Sequence, residues 1–248
     1  MKVHSNSIKF LLLPIYYLIH YNLILGLIHK FFIKNFYYKK FKFELNIKNL
    51  PISTRASFLF NTYEYNDRIL IEKYIDRKNS CILIGGGIGF IATLAYHNSK
   101  KKIYVFEINK NLIKNLKKNL QKNNCSFQIF EKNLIFNNKD KYSNFFISEN
   151  FLLTSKYLQS KDLKKVENIN FEKIKSIKNC NTLIIDGEGI EEFFINNLEK
   201  MPNIKYLIFE LHYNILSKKK ISKLFNQLKS NEFILISKNF NSFYFKKK

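Results

Sequence analysis

Short apolar runs alternate with segments of helical periodicity through most of the chain. Apolar runs that predict β-strands occupy residues 81–84, 103–107, 127–130, 182–186 and 205–210. Apolar positions at helical spacing predict helices at 68–77, 89–98, 110–122, 188–199 and 217–230. Two late strands, at 233–237 and 242–246, predict a hairpin. Because buried strands that alternate with helical crossovers form parallel sheets covered on both faces, the pattern predicts a doubly wound α/β fold.

The first 60 residues lack this alternation. Residues 8–33 are apolar and aromatic, and no charged side chain occurs from Phe10 to Ile28, whereas lysines follow soon after. An apolar stretch beside lysines favours a helix in the membrane interface, although a true span or helices packed on the domain also fit. We therefore predict a membrane-associated segment at 1–40 and one domain at 41–248. Within that domain, residues 41–60 predict short extended pieces, and the interval 131–178 predicts an insert with a hairpin or short helices.

The chain is strongly basic, with a formal net charge of +23 from 42 basic and 19 acidic residues. Only Arg55, Arg68 and Arg77 are arginines, the residue type that nucleic-acid sites recruit for bidentate contacts. The charge therefore favours a solvated surface that attracts anionic lipid or glycan, and it argues against a nucleic-acid partner. Three scattered cysteines without a Cys-x-x-Cys pair argue against structural zinc or a disulfide framework, and they predict a cytoplasmic protein.

A glycine-rich run directly follows the apolar segment 81–84. Four of the seven glycines lie within five positions, at Gly85, Gly86, Gly87 and Gly89. Glycines there let backbone N–H groups approach a ligand closely. The register Gly85, Gly87, Gly89 fits the Gly-x-Gly-x-Gly loop of S-adenosylmethionine (SAM) methyltransferases, whereas the register Gly87, Gly89, Ala92 fits the dinucleotide fingerprint.

The next two strands add candidate cofactor contacts. Glu107 ends the strand 103–107, about 20 residues beyond the glycine run, where a carboxylate accepts hydrogen bonds from ribose hydroxyls. Asn133 lies just past the third strand, and we predict that it lies beside the adenine.

Ionisable residues also end the two strands that follow. Asp186 is predicted to orient a hydroxyl, accept a proton or bind a metal, and Glu188 either caps the helix or faces the pocket. Glu210 and His212 share one face of their strand, and His212 is a candidate general base. We expect Glu191 on the surface of the helix.

These stretches together resemble the FkbM-type family of SAM-dependent methyltransferases over about residues 60–246. The resemblance rests on Tyr63, Glu64 and Arg68 ahead of the first strand, on the run from Asp186 to Glu191, and on Phe209-Glu210-Leu211-His212. It implies a Rossmann-like, seven-stranded fold whose last strand is antiparallel, here preceded by an apolar helical appendage. It also implies O-methylation, frequently of sugars, and it favours the register that begins at Gly85.

Leu83 departs from the family's pattern, because such loops usually carry an acid two residues before the first glycine. Tyr63 and Glu64 are candidates to take over its contacts with the cofactor. The sequence therefore predicts a SAM-dependent O-methyltransferase of a cell-envelope glycan or glycolipid precursor, at the inner face of the cytoplasmic membrane. Two alternatives stay open, an NAD-dependent sugar oxidoreductase and a non-catalytic basic protein that binds membrane or nucleic acid on a degenerate methyltransferase scaffold.

Overall fold

The structure is a computed structural model that describes part of the 248-residue chain. The described residues are 24, 26–28, 30–31, 34–45, 47, 50–137, 140–147, 154–155, 163–187, 189–213 and 216–248. Contacts divide the chain into two compact units, residues 1–63 and 64–248, so the division falls later than the sequence boundary at residue 40. Within the described ranges, no helix has the length and apolar character needed to cross a membrane. Most of the predicted membrane-associated stretch, residues 8–23, lies outside those ranges.

The described part of the first unit includes a small hairpin and the helix that follows it. Strands β1 (Asn35–Tyr38) and β2 (Phe41–Glu44) pair antiparallel, and helix α1 (Ile52–Leu59) follows Pro51. The rings of Phe36 and Phe58 pack with centroids 5.0 Å apart. The expectation of extended pieces throughout 41–60 is therefore wrong from residue 52 onward. Packing of Phe58 stabilises a helix there, because burial of an aromatic ring outweighs weak local preferences.

The second unit is built on a seven-stranded sheet, which confirms the predicted Rossmann-like fold. The first three strands of this sheet along the chain are β3 (Cys81–Ile84), β4 (Ile103–Phe106) and β5 (Phe127–Phe130). The last four are β10 (Thr182–Ile185), β11 (Tyr206–Glu210), β12 (Phe233–Asn239) and β13 (Ser242–Lys247). The spatial order is β12-β13-β11-β10-β3-β4-β5. Five neighbouring strands run parallel to one another, namely β11, β10, β3, β4 and β5. Strand β13 is antiparallel to both of its neighbours, as predicted for the last strand.

Helices cover the sheet close to the predicted positions. They are α2 (Tyr65–Tyr74), α3 (Phe90–Ser99), α4 (Lys110–Lys122), α5 (Glu191–Ile195) and α6 (Lys218–Ser230). Asn109 and Ser217 cap α4 and α6, because their side-chain oxygens accept backbone N–H groups of the first turn. The predicted helix at 188–199 is shorter than expected. Gly189 adopts a positive φ of 84°, which delays the start of the helix.

The insert between β5 and β10 forms a second, four-stranded sheet. Its strands are β6 (Asn133–Ile135), β7 (Tyr142–Ile147), β8 (Thr154–Ser155) and β9 (Leu163–Asn170), in the order β6-β9-β7-β8. Two short 3-10 turns, Phe171–Lys173 and Lys175–Ile177, return the chain to β10. The carboxyl ends of β3, β4, β10 and β11 therefore meet at one edge of the main sheet, where ligands of such sheets bind.

Candidate functional site

The glycine loop turns the chain sharply from β3 into α3. Gly85 has φ +89°, and a Cβ atom at this position would collide with the carbonyl oxygen of Asp186. Gly89 has φ +87° and caps the N-terminus of α3. The backbone N–H of Gly85 donates to the carbonyl of Phe106 at 2.9 Å, and that of Asp186 donates to Ile84 at 2.9 Å. Glycine is thus required at 85 both by its backbone conformation and by the close approach of the chain after β10.

Glu107 accepts hydrogen bonds from the backbone of the glycine loop. Its Oε2 accepts the N–H groups of Gly86 and Gly87 at 3.0 and 3.1 Å, and its Oε1 accepts that of Asn109 at 2.7 Å. The side chain is buried, and burial raises the pKa of Glu107 although these backbone hydrogen bonds oppose the rise. Each carboxylate oxygen can accept more than one hydrogen bond, so these contacts leave capacity for a ribose hydroxyl. Ribose binding by Glu107 stays a prediction.

The remaining predicted cofactor residues have different surroundings. Leu83 is 1% exposed and pairs with Val105 and Ile184 in the middle of the sheet. Tyr63 packs on Phe58 in the first unit, with ring centroids 4.4 Å apart. Asn133 donates to the side chain of Asn168 at 2.8 Å within the second sheet. These neighbours explain the positions of the side chains without a cofactor.

Glu64 and Glu188 are the remaining predicted acids. Glu64 has a left-handed backbone (φ +47°) just before α2, and its charge contributes to raising the pKa of Asp186. The sequence alone places Glu188 two residues past Asp186, and Glu188 lies outside the described residues.

Five ionisable residues collect at the carboxyl edge beside the loop. We call Asp67, Asp186, Glu191, Glu210 and His212 the acidic cluster. One potential ligand atom from each of Asp186, Glu210 and His212 lies within 4.8 Å of the other two. Burial, followed by the charges of Asp67 and Glu210, raises the pKa of Asp186 well above its ordinary value. The sequence analysis placed Asp186 and His212 on the acceptor side, and the structure brings them together.

Asp67 joins this cluster from the first turn of α2. It is 4% exposed, and no hydrogen bond of ordinary geometry from the described part of the chain reaches its Oδ1. Burial and the charge of Glu210 raise the pKa of Asp67 to about 7. Asp67 is not predictable as a site residue from the sequence, because an aspartate in a first helical turn also interacts favourably with the helix dipole and shows no other signal.

Glu191 and His212 form a buried pair. His212 Nδ1 lies 2.5 Å from Glu191 Oε1, and the Glu191 side chain is fully buried. The expectation that Glu191 lies on the helix surface is therefore wrong; α5 is so short that its first residue points into the cluster. An ionised carboxylate only accepts hydrogen bonds, so the pair places the proton on Nδ1 and turns Nε2 toward Glu210 Oε2, 3.9 Å away.

An open groove lies next to the acidic cluster. It has a volume of about 620 Å³ and is lined by Asn66, Tyr213, Lys238, Phe240 and Asn241. Asn66 donates to the side chain of Asn241 at 2.9 Å, and Asn241 donates in turn to Glu210. Phe240 stands at the tip of the β12–β13 turn with φ +50° and is 77% exposed. The hairpin at 233–237 and 242–246 is predictable from the sequence, whereas the contact of its turn with the acidic cluster is not.

A comparison with protein families finds a methyltransferase model that matches part of the chain. The family model for the methyltransferase small domain matches residues 50–150. Among curated proteins, none matches the sequence. The match at 50–150 includes the glycine loop and Glu107, and it supports SAM as the cofactor and methyl transfer as the chemistry. The narrower FkbM-type resemblance stays a prediction.

Several solved structures share parts of the chain trace at low identity. A ribosomal protein L11 methylase from Lactobacillus delbrueckii subsp. bulgaricus is 12% identical with a TM-score of 0.47, over 73% of this chain and 77% of that one. A precorrin-6y C5,15-methyltransferase from Geobacter metallireducens is 12% identical with a TM-score of 0.43, over 72% and 82%. An uncharacterized protein from Listeria monocytogenes is 11% identical with a TM-score of 0.45, over 73% of this chain and 66% of that one, just under two thirds.

Proposed function

We propose that this protein is a SAM-dependent O-methyltransferase that methylates a sugar hydroxyl. The observation that carries the proposal is the position of Asp186. Its backbone touches the glycine loop at Gly85, and its side chain belongs to the acidic cluster beside the open groove. A methyl donor on the loop and an acceptor in the groove would therefore meet at Asp186.

The groove has the chemistry that a sugar requires. Phe240 and Tyr213 are exposed aromatic rings, on which the apolar face of a pyranose can pack. Asn66 and Asn241 add amide groups that donate and accept hydrogen bonds with hydroxyls. A site with a few placed polar groups beside aromatic surface is typical of small-molecule recognition.

Methyl transfer needs little more than alignment and removal of one proton. The acceptor oxygen attacks the sulfonium methyl in line, a new O–C bond forms, and the S–C bond breaks to leave a neutral thioether. Asp186 would accept the hydroxyl proton, since burial among other acids raises its pKa and so makes its carboxylate a stronger base than an exposed aspartate. His212, held by Glu191, orients the hydroxyl.

The source of the acceptor follows from charge and from the first residues of the chain. A net charge of +23 attracts anionic glycans and anionic lipid headgroups. The apolar residues 8–33, followed by lysines, fit association with the inner face of the cytoplasmic membrane. We therefore propose a cell-envelope glycan or glycolipid precursor as the acceptor.

One observation favours a second candidate, a non-catalytic basic binding protein on the same scaffold. Leu83 occupies the position of an acid that usually helps to hold the loop or the methionine part of SAM, and it is buried among apolar neighbours. Turnover distinguishes the two candidates, because only the enzyme transfers the labelled methyl group.

The test is transfer of a labelled methyl group from SAM to glycan extracts of the cell envelope. We expect Phe240→Ala to raise the KM for the acceptor several-fold while the Kd for SAM stays unchanged. Phe60→Ala removes another exposed aromatic ring, in the first unit, and serves as the control. Absence of transfer to any sugar, or equal loss of acceptor binding in both variants, would overturn the sugar assignment.

A further inference from the structure

Three side chains of the acidic cluster have the spacing of metal ligands. Asp186 follows β10, Glu210 ends β11, and His212 lies two residues further on. One oxygen or nitrogen from each lies within 4.8 Å of the others, a distance that a single cation can bridge. Because two of these residues follow adjacent parallel strands, the sheet itself fixes their separation.

His212 is held as a metal-binding histidine usually is. Its Nδ1 is engaged by the fully buried carboxylate of Glu191 at 2.5 Å, and its Nε2 faces Glu210 Oε2 at 3.9 Å. A carboxylate that accepts one ring N–H fixes the tautomer and directs the other nitrogen toward the metal. Glu191 would thus act as a positioning residue for a ligand rather than as a ligand.

Two buried oxygens supply a separate observation. Within the described ranges, no hydrogen bond of ordinary geometry reaches Asp67 Oδ1 or Glu191 Oε2, although Asp67 is 4% exposed and Glu191 is fully buried. The Ser242 hydroxyl interacts with the Asp67 carboxylate and lowers its pKa, but this does not offset the effect of burial. Buried polar atoms are almost always satisfied by protein, water or an ion. Asp67 is close enough to Asp186 and Glu210 to interact electrostatically with both. Several carboxylates brought together in this way repel one another unless a cation lies among them.

We propose that Asp186, Glu210 and His212 bind a divalent first-row cation, with Mn²⁺ as the best match. Carboxylate oxygens suit hard cations such as Mg²⁺ and Mn²⁺, whereas an imidazole nitrogen favours the transition metal of that pair. Asp67 interacts electrostatically with all three ligands and supplies further negative charge. Water or an acceptor hydroxyl would complete the coordination shell.

The ion would help to bind and activate the acceptor hydroxyl, and this part of the inference rests on the proposed function. A cation bound here would hold the acceptor oxygen beside the glycine loop and lower the pKa of its hydroxyl. The second oxygen of Asp186 would still accept the proton. The transferred methyl group and the breaking S–C bond are the same as without the ion.

The test is binding of Mn²⁺ to the full chain, free of other metals, measured by calorimetry and by electron paramagnetic resonance. We expect one saturable site per chain, with affinity at least tenfold lower in Asp186→Asn and in His212→Gln. Glu191→Gln should weaken binding about tenfold or more through loss of the His212 orientation. Glu167→Gln removes an exposed carboxylate that pairs with Lys132 far along the insert, and it should bind Mn²⁺ within twofold of the wild type.

A spectroscopic signature keeps the test independent of how well the variants fold. Electron spin echo modulation from an imidazole nitrogen should accompany bound Mn²⁺ in the wild type and disappear in His212→Gln. The inference is overturned if the folded wild type shows no saturable Mn²⁺ site, if no nitrogen modulation appears, or if Glu167→Gln loses as much affinity as the cluster variants. SAM binding measured in EDTA reports on the proposed function separately, because the glycine loop contributes no metal ligand.

Discussion

Replacing Glu107 with glutamine tests whether this side chain both holds the glycine loop and binds the cofactor ribose. The carboxylate accepts three backbone N–H groups, from Gly86, Gly87 and Asn109. A glutamine of the same shape keeps a single acceptor oxygen. If that oxygen takes the place of Oε2, the new amide NH₂ group takes the place of Oε1 and faces the N–H of Asn109. Both groups are donors, so the N–H of Asn109 loses its acceptor.

The magnitudes separate an effect on stability from an effect on binding. A buried donor without an acceptor costs about 1–3 kcal/mol, but removal of a buried charge offsets part of this. We therefore expect the free energy of unfolding to fall by only about 1–2 kcal/mol. A ribose hydroxyl bonded to a charged acceptor contributes about 1.5–3 kcal/mol, against about 1 kcal/mol for a neutral one. This difference of about 0.5–2 kcal/mol should lower the affinity for SAM roughly 2- to 30-fold.

Calorimetric titration with SAM, together with urea unfolding, measures both quantities. Glu131→Gln is the matched control, because Glu131 directly follows β5 at the same edge of the sheet but is exposed. It should leave both quantities unchanged. A Glu107→Gln protein that binds SAM with the same affinity as the wild type would refute the ribose assignment and leave Glu107 a purely structural residue of the loop.

Three further substitutions probe the turn, the buried acids and the chemistry. Gly85→Ala should lower the free energy of unfolding in urea by about 2–4 kcal/mol, because it combines a strained positive φ with a collision against a carbonyl oxygen. Gly187→Ala is the control, since its new Cβ would meet only the side chain of Ile190, and it should cost clearly less. Equal losses in the two variants would contradict this reasoning. The pKa of Asp67 is raised from 3.8 to about 7, so its contribution to stability is greatest below about pH 4 and is lost as the pH rises through 7. Unfolding in EDTA between pH 4 and 8 should therefore show a loss of up to about 4 kcal/mol in the wild type that Asp67→Asn lacks, and parallel curves would refute this. Asp186→Ala should slow methyl transfer at least 100-fold while SAM binds within a few-fold of wild type; transfer at the wild-type rate would exclude Asp186 as the proton acceptor.

The sequence predicts the sheet well because the strands at its centre are buried on both faces. Continuous apolar runs such as Cys81–Ile84 and Thr182–Ile185 are typical of strands that are buried on both faces. The observed bounds of each strand lie within one residue of the predicted range. The residues that follow those strands are predictable for the same reason. Asp186 and His212 could be placed on one edge because parallel strands end at the same side of a sheet.

The parts that the sequence could not supply depend on contacts between distant segments. Glu191 pairs with His212 across 21 residues of chain, and the positive φ of Gly189 lies just before α5, the helix that begins with Glu191. The groove forms when the turn at Phe240 meets Asn66 across 175 residues of chain, through the Asn66–Asn241 hydrogen bond. Neither contact has a local pattern in the sequence. Helix α1 was missed because Phe58 is stabilised by packing rather than by helical propensity.

The central claim is that the loop from Gly85 to Gly89 binds SAM although Leu83 replaces the usual acid. Calorimetric titration of the full chain with SAM, in EDTA, tests it most directly. The account predicts saturable binding of one SAM per chain, tighter than about 1 mM, with NAD failing to compete. No detectable SAM binding at millimolar concentration, or displacement of SAM by NAD, would contradict it.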